Sequence, residues 1–366
     1  DIGVTGVQTC ALPIWDIKDL LLEANQTKDA FRVHRIIREL AKRIHQAPES
    51  ILMAISPLEK LESEDCANLA TAWKMAIPKD TKMAKRFLNH PSHESQIVAL
   101  RWIADEDMKV LESEVENFMK NSPMDFQTLT ATLAAINTLS GDPTQLVNDQ
   151  KLLLEQINDK TSTTTLRANL LRLLDPKTEN FGPNFWRAIL DEKESLLVKE
   201  LVRAVATQSS PEANHFLRQI ANNESLDIQT RADAIAGFKP ESASDSTMLL
   251  KLAASDEKAI REGAIRSFRG TEIVKEIHQT LTKLKAIHPD SQPLIDAVID
   301  PASTLKNRPA ADDLQSWNRL PNSSPGPANV EEGRRIFTHS AVANCSKCHL
   351  HSGRGNHLGP DLSSLW

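Results

Sequence analysis

Near the end of the chain, Cys345, Cys348 and His349 stand as Cys-Ser-Lys-Cys-His, the C-x-x-C-H spacing that attaches a c-type haem. Two thiols three positions apart on one turn can each add to a haem vinyl group, and the histidine that follows then faces the iron as its proximal ligand. Four of the eleven histidines fall between His339 and His357, which sets this segment apart from the rest of the chain. The same residues leave a second chemistry open: Cys345, Cys348, His351 and His357 form C-x-x-C-x-x-H-x-x-x-x-x-H, a plausible zinc ligand set. Elsewhere the signals are weaker. Cys66, in DCANLATAW, sits where an amphipathic helix would bury it, and a free cysteine there reads as a small core hydrophobe. His90, His93 and Glu94, in HPSHE, match no zinc-protease spacing and read as capping or surface residues where a loop enters a helix. No nucleotide-binding glycine motif occurs.

Composition narrows the class of protein that must position these groups. Of 366 residues, 40% are hydrophobic and 25% charged, the balance of a folded chain. Tyrosine is absent and aromatics make up 4%, which disfavours a β protein and favours an all-α fold. A net charge of −6 argues against nucleic acid as a partner. No apolar run reaches the roughly 18 residues of a membrane helix, so no membrane span is expected in this stretch. Residues 1–14 are set aside from fold reasoning: VTGVQTCALPI, Val4 to Ile14, has no secondary-structure period and reads as the translation of a sequencing adapter, which removes Cys10 from the cysteine count.

From residue 15 to 303 a small pattern recurs: two adjacent apolar positions, then a third one helical turn on. It runs Ile36-Ile37-Leu40, Leu69-Ala70-Trp73, Ala99-Leu100-Ile103, Thr132-Leu133-Ile136 and Leu170-Leu171-Leu174. It continues as Leu201-Val202-Val205, Ala234-Ile235-Phe238, Ala264-Ile265-Phe268 and Leu294-Ile295-Val298, at intervals of about 32 residues. Other amphipathic stretches lie between, and breakers such as NHPSHES, TQSSPEAN, ANNESLD and KPESASD separate the units. Each unit is therefore predicted to be a helix pair that must stack on its neighbours to bury its apolar face. TRADAIAGF and AIREGAIRSF look like the second helix of HEAT repeats, which implies a HEAT-like α-solenoid. Charged stretches such as LESEVENFMK read as solvated helix faces.

Residues 304–328 carry Pro309, Pro321, Pro325 and Pro327 and read as a proline-rich linker with at most one short helix near Trp317. Then NVEEGRRIF predicts a short helix from Val330 to Phe337, with Asn329 as N-cap and Glu331 and Glu332 at the positive end of its dipole. The C-x-x-C-H follows, and Gly359-Pro360-Asp361-Leu362 comes ten residues after His349. The stretch EEGRRIFTHSAVANCSKCHLHSGRGNHLGPDLSSLW closely resembles the planctomycete-type haem-binding domain, a relative of class I cytochromes c.

That resemblance implies one covalent haem c on Cys345 and Cys348, with His349 as the proximal iron ligand. It places Gly333 and Phe337 on the helix that packs against the domain's C-terminal helix. It also implies that Pro360 offers its carbonyl to the second ring nitrogen of His349, and that Leu362 packs on the haem face. The family's sixth ligand, a methionine some tens of residues further on, has no counterpart here, since the last methionine is Met248. Residues 329–366 are accordingly expected to be the N-terminal part of a truncated cytochrome domain, bis-histidine ligation through His351 or His357 being the rival. The implied whole is a periplasmic or otherwise extracytoplasmic oxidoreductase component that passes electrons between a redox partner, or a fused sugar- or sorbosone-dehydrogenase-like domain, and an acceptor. A protein partner on the repeat surface is a further expectation, and an interaction scaffold with a zinc-binding tail is the alternative. No catalytic residue is visible.

Overall fold

A computed structural model describes residues 17–122, 124–141, 150–302, 308–323, 329–339, 345–356 and 358–363. The leading segment set aside above, Asn344, His357 and Trp366 lie outside these residues. Among those described the chain is mostly helical, consistent with the all-α class. The one strand pair among the described residues is a short hairpin, β1 (Leu350–His351) with β2 (Arg354–Gly355), antiparallel, with Leu350 opposite Gly355 and His351 opposite Arg354.

Two compact units form, one from residues 1–149 with 160–166 and the other from 150–159 with 167–366. The division between them falls within the helical region, and the described C-terminal residues cluster with the second unit.

In the first unit the helices are α1 (Ile17–Gln26), α2 (Ala30–Gln46), α3 (Pro48–Ala54), α4 (Ser63–Ala76), α5 (Thr81–Leu88), α6 (His93–Asp105), α7 (Glu112–Asn121) and α8 (Phe126–Ser140). The apolar triplets fall on the even members, and α2, α4, α6 and α8 pack successively against one another, with α1, α5 and α7 beside them. Loop chemistry sets where each helix starts. The side chains of Asp29, Asp80, Ser92 and Asp125 accept hydrogen bonds from first-turn amides, and Gly141 ends α8 in the left-handed region. Cys66 is buried, its thiol 3.2 Å from the Ser95 hydroxyl, and burial pushes that thiol up to about 11. The HPSHE residues act at the same junction: His90 Nδ1 accepts from the Ser92 amide at 3.0 Å, and Ser92 caps α6.

Next along the chain come α9 (Gln150–Asn158) and α10 (Thr164–Leu173). In the second unit come α11 (Pro183–Asp191), α12 (Ser195–Val205), α13 (Pro211–Asn222), α14 (Ile228–Gly237), α15 (Ala243–Ala253), α16 (Lys258–Ser267), α17 (Lys275–Ile287) and α18 (Gln292–Ile299). Here α12, α14, α16 and α18 pack in succession, and each even helix touches the odd one before it. Ser210, Asp227 and the reciprocal Ser242–Asp245 capping box start α13, α14 and α15. All members of the nine triplets are buried except Leu294, which is half-buried. Burial on this scale, worth about 1.5–3 kcal/mol for each large apolar side chain, holds the even helices together. Gly237 is required by a close approach, because a Cβ there would lie 2.3 Å from the Ala206 Cβ.

Past the repeats stand α19 (Leu314–Ser323), the single helix in the described part of the proline-rich stretch, and α20 (Val330–His339). The predicted N-cap is in place, with Asn329 Oδ1 accepting from the Glu332 amide at 3.0 Å.

Candidate functional site

The C-x-x-C-H segment is built as one tight turn. A 3-10 turn covers Cys345–Lys347, and the Cys345 carbonyl accepts from the amides of both Cys348 (3.1 Å) and His349 (2.9 Å). Cys345 is half-exposed, Cys348 exposed and His349 half-buried, and the two cysteines are not joined in a disulfide. On one side the Ser346 hydroxyl donates to the Thr338 carbonyl at 3.0 Å, tying the turn to the end of α20. On the other side the Gly359 amide donates to Cys348 O at 2.6 Å, and the Leu362 amide to Leu350 O at 2.9 Å.

These bonds bring Pro360 to the histidine. The Pro360 carbonyl lies 2.9 Å from Nδ1 of His349, the distance at which a ring N–H donates and fixes the imidazole's orientation and tautomer. No described residue hydrogen-bonds the other ring nitrogen. Gly359 lets the ring fit: a Cβ there would lie 2.6 Å from Cε1 and 2.7 Å from Nδ1 of His349. Gly355 serves the backbone in the same way, with φ +119° and a hypothetical Cβ 2.1 Å from His349 O. Phe337 lies against His351, with ring centroids 5.8 Å apart. Leu362 is half-buried, and a Cβ at Gly333 would meet nothing within 4 Å.

Gly359→Ala is expected to push the His349 ring off its present orientation and break the bond to Pro360, at a cost of about 1–3 kcal/mol. The His349 ring resonances, followed by NMR, should move well beyond those of neighbouring residues.

Sequence reasoning missed what holds this segment in place. α20 packs on α14, and the contact is ionic. Asp233, on α14 and fully buried, accepts from Nε of Arg203 at 2.8 Å, from Arg335 at 3.1 Å and from Arg334. Glu331 bonds Arg203 at 2.8 Å and lies 3.3 Å from Lys199, while Glu332 pairs with Arg266 of α16. Glu200 of α12 is 1% exposed: Oε1 takes Arg203 at 2.7 Å and Arg172 at 3.1 Å, and Oε2 takes Arg354 of β2 at 2.9 Å. A faint signal was available. Two places before the central apolar residue of three successive triplets stand Asn169, Glu200 and Asp233, and one place after it an arginine stands in the first two of these and in the next triplet, Arg172, Arg203 and Arg266, with Ala236 between.

This cluster gives the docking a pH dependence. Burial alone would raise the Glu200 carboxyl, but Arg354, Arg172 and Arg203 outweigh it and draw it from 4.5 down to about 2. Glu331 likewise drops to about 2: burial opposes, and Arg203, Arg334 and Lys199 prevail. Both carboxyls therefore contribute stability that is complete above 4.5 and lost as pH falls toward 2. His339 is held from 6.5 down to about 4, by burial first and then by Arg334, with Asp233 opposing. Its contribution is whole above 6.5 and fades as pH falls to 4, because the unfolded chain takes up the proton first. Glu262 runs the other way, raised by burial and by Glu332 against Arg266. On stepwise acidification the amide resonances of α20 should therefore shift first in the histidine window and then collapse in the carboxylate window, before the α4–α6 resonances move.

A scan against protein-family models finds no match to this chain, and no curated protein matches its sequence. Among the described residues no group of three or more His, Cys, Asp or Glu is placed to hold a metal ion; the zinc reading needs His357, which lies outside them. Among them, too, no helix is long and apolar enough to cross a membrane.

Proposed function

We propose that the chain carries a covalent c-type haem on Cys345 and Cys348, with His349 as the proximal iron ligand, and serves single-electron transfer. The observation that carries this reading is the pairing of His349 Nδ1 with the Pro360 carbonyl beside the two-cysteine turn. A histidine that donates from one ring nitrogen to a backbone carbonyl presents the other as a ligand of raised basicity. The donor set suits the group in other respects. The thiols sit on one turn, one exposed and one half-exposed, and Gly359 leaves the ring its space. When bound, a haem supplies the one-electron couple; the chain supplies the two thiols, a fixed imidazole and a rigid mount. Leu362 remains the candidate for packing on the haem face.

The mount is the second half of the proposal. The helix pairs among the described residues form a HEAT-like α-solenoid, and residues 329–366 belong to a class I cytochrome c-like domain. The site works outside the cytoplasm, where thioether attachment takes place, and its electrons come from a redox partner or a fused dehydrogenase-type domain. A zinc-binding tail on an interaction scaffold is the competing outcome. Expression of the chain with a haem c maturation system decides between them. A haem-staining band that survives denaturation, with the α-band of a thioether-linked haem in its reduced pyridine complex, is the expected result; stoichiometric zinc without covalent haem would overturn it.

A further inference from the structure

The hairpin that follows the two-cysteine turn meets the helix α12 through a buried charge pair. Arg354 lies in β2, immediately before Gly355, and its guanidinium donates to both the carboxylate (2.9 Å) and the backbone carbonyl (3.1 Å) of Glu200. Glu200 is 154 residues away in sequence, on α12. Its Oε1 is already engaged by Arg203 and Arg172, both on repeat helices, whereas among the described residues Oε2 bonds only Arg354. A buried carboxylate oxygen left without a donor is costly, so this arrangement keeps one acceptor for the C-terminal segment.

The link runs on from Arg354 to the imidazole. Gly355 is pressed against the His349 carbonyl, and the Asn356 amide donates to that same oxygen at 3.3 Å. Leu350, opposite Gly355 in the hairpin, accepts from Leu362, and the stretch between Gly359 and Leu362 carries the Pro360 carbonyl that orients the ring. Holding Arg354 thus holds both supports of His349.

We propose that Glu200, acting through Arg354, is a positioning residue for His349: the repeat helix α12 sets the orientation of the iron ligand, so that the repeats and the attachment turn work as one unit. The proposal rests on the haem reading for its functional meaning, but the positioning can be measured without haem.

The test uses the full chain as wild type, Arg354→Ala, Arg354→Lys and Glu200→Gln. In the haem-free protein, hydrogen exchange at the Asn356 and Gly359 amides should rise by about tenfold or more in Arg354→Ala and Glu200→Gln, as expected for loss of a hydrogen bond to a buried charge. Arg354→Lys, which keeps the charge but not the two-point grip, should recover part of the protection. The amides of α4 and α6 should be unchanged in all variants. In the haem-loaded protein, the midpoint potential should move in the same direction for Arg354→Ala and Glu200→Gln. Because these remove opposite charges, a through-space effect would move it in opposite directions. If Glu200→Gln fails to fold, Arg354→Ala carries the exchange test alone. Unchanged exchange at Asn356 and Gly359 in a folded Arg354→Ala, or potentials shifting with opposite sign, would overturn the proposal. A wild-type chain that takes up no haem would defeat the electron-transfer reading and leave the exchange result to decide the positioning.

Discussion

Asp233→Ala should destabilise the second unit by about 3–5 kcal/mol, the range for removing one partner of a buried ion pair. The carboxylate is wholly buried and is the common acceptor for Arg203, Arg334 and Arg335. Arg203 and Arg335 are themselves 9% and 7% exposed, so truncation would strip the enclosed Arg335 of its one carboxylate partner among the described residues and leave Arg203 and Arg334 to share Glu331, with Glu200 on Arg203 alone of the two. Asp233→Asn, which keeps the shape and one acceptor oxygen, should cost less but still loosen α20. In a denaturant titration, loss of α20 resonances should precede the main transition in both variants. Arg86→Ala is the control: its partner Glu59 is on the surface, where solvent screens the pair, and the midpoint should not move. An unshifted midpoint in Asp233→Ala would show that the docking of α20 contributes nothing to the unit.

The other large effect falls on cofactor attachment. Under the proposed function, Cys345→Ser with Cys348→Ser should abolish covalent haem, because no thiolate remains near His349 to form a thioether. Each single substitution should retain a band through the remaining thiol, with the α-band shifted because one vinyl group stays unsaturated. His349→Ala should keep some attachment and lose the low-energy ligand-field signature of an imidazole-bound iron. The separation matters: loss of attachment in the double variant without loss of helicity assigns the thiols to chemistry and not to folding. Their exposure supports that expectation, since neither cysteine fills the core as Cys66 does. A covalent band that persists in the double variant would remove the thioether reading.

The helical repeats were legible because burial leaves a local, periodic mark. Ile235 and Ile265 recur at one helix pair's spacing, and the buried triplets sit on every second helix, from α2 to α18. Capping was legible for the same reason: Ser92, Ser210, Asp227 and Ser242 each bond an amide two or three residues on. The pairing of His349 with Pro360 spans only 11 residues and could be expected from motif resemblance. The charged network was not legible. Glu331 and Glu332 read only as residues at the positive end of a helix dipole, and a lone glutamate or arginine on a helix is usually exposed. The partners of Glu200 and Asp233 lie from 3 to 154 residues away, and no local period records such distances.

By itself, then, the amino-acid sequence determined the all-helical class, the spacing of the helix pairs, the start of each capped helix and the residues of the two-cysteine turn. Each of these depends on interactions within about one helical turn or one short loop, where residue type and spacing are nearly sufficient. Only the tertiary structure decided that α20 and the 350–355 hairpin seat on α12 and α14, with Glu200 and Asp233 buried beneath them. A charge is buried only when its counter-charges arrive from elsewhere in the chain, and their arrival is a property of the folded arrangement, not of any segment alone.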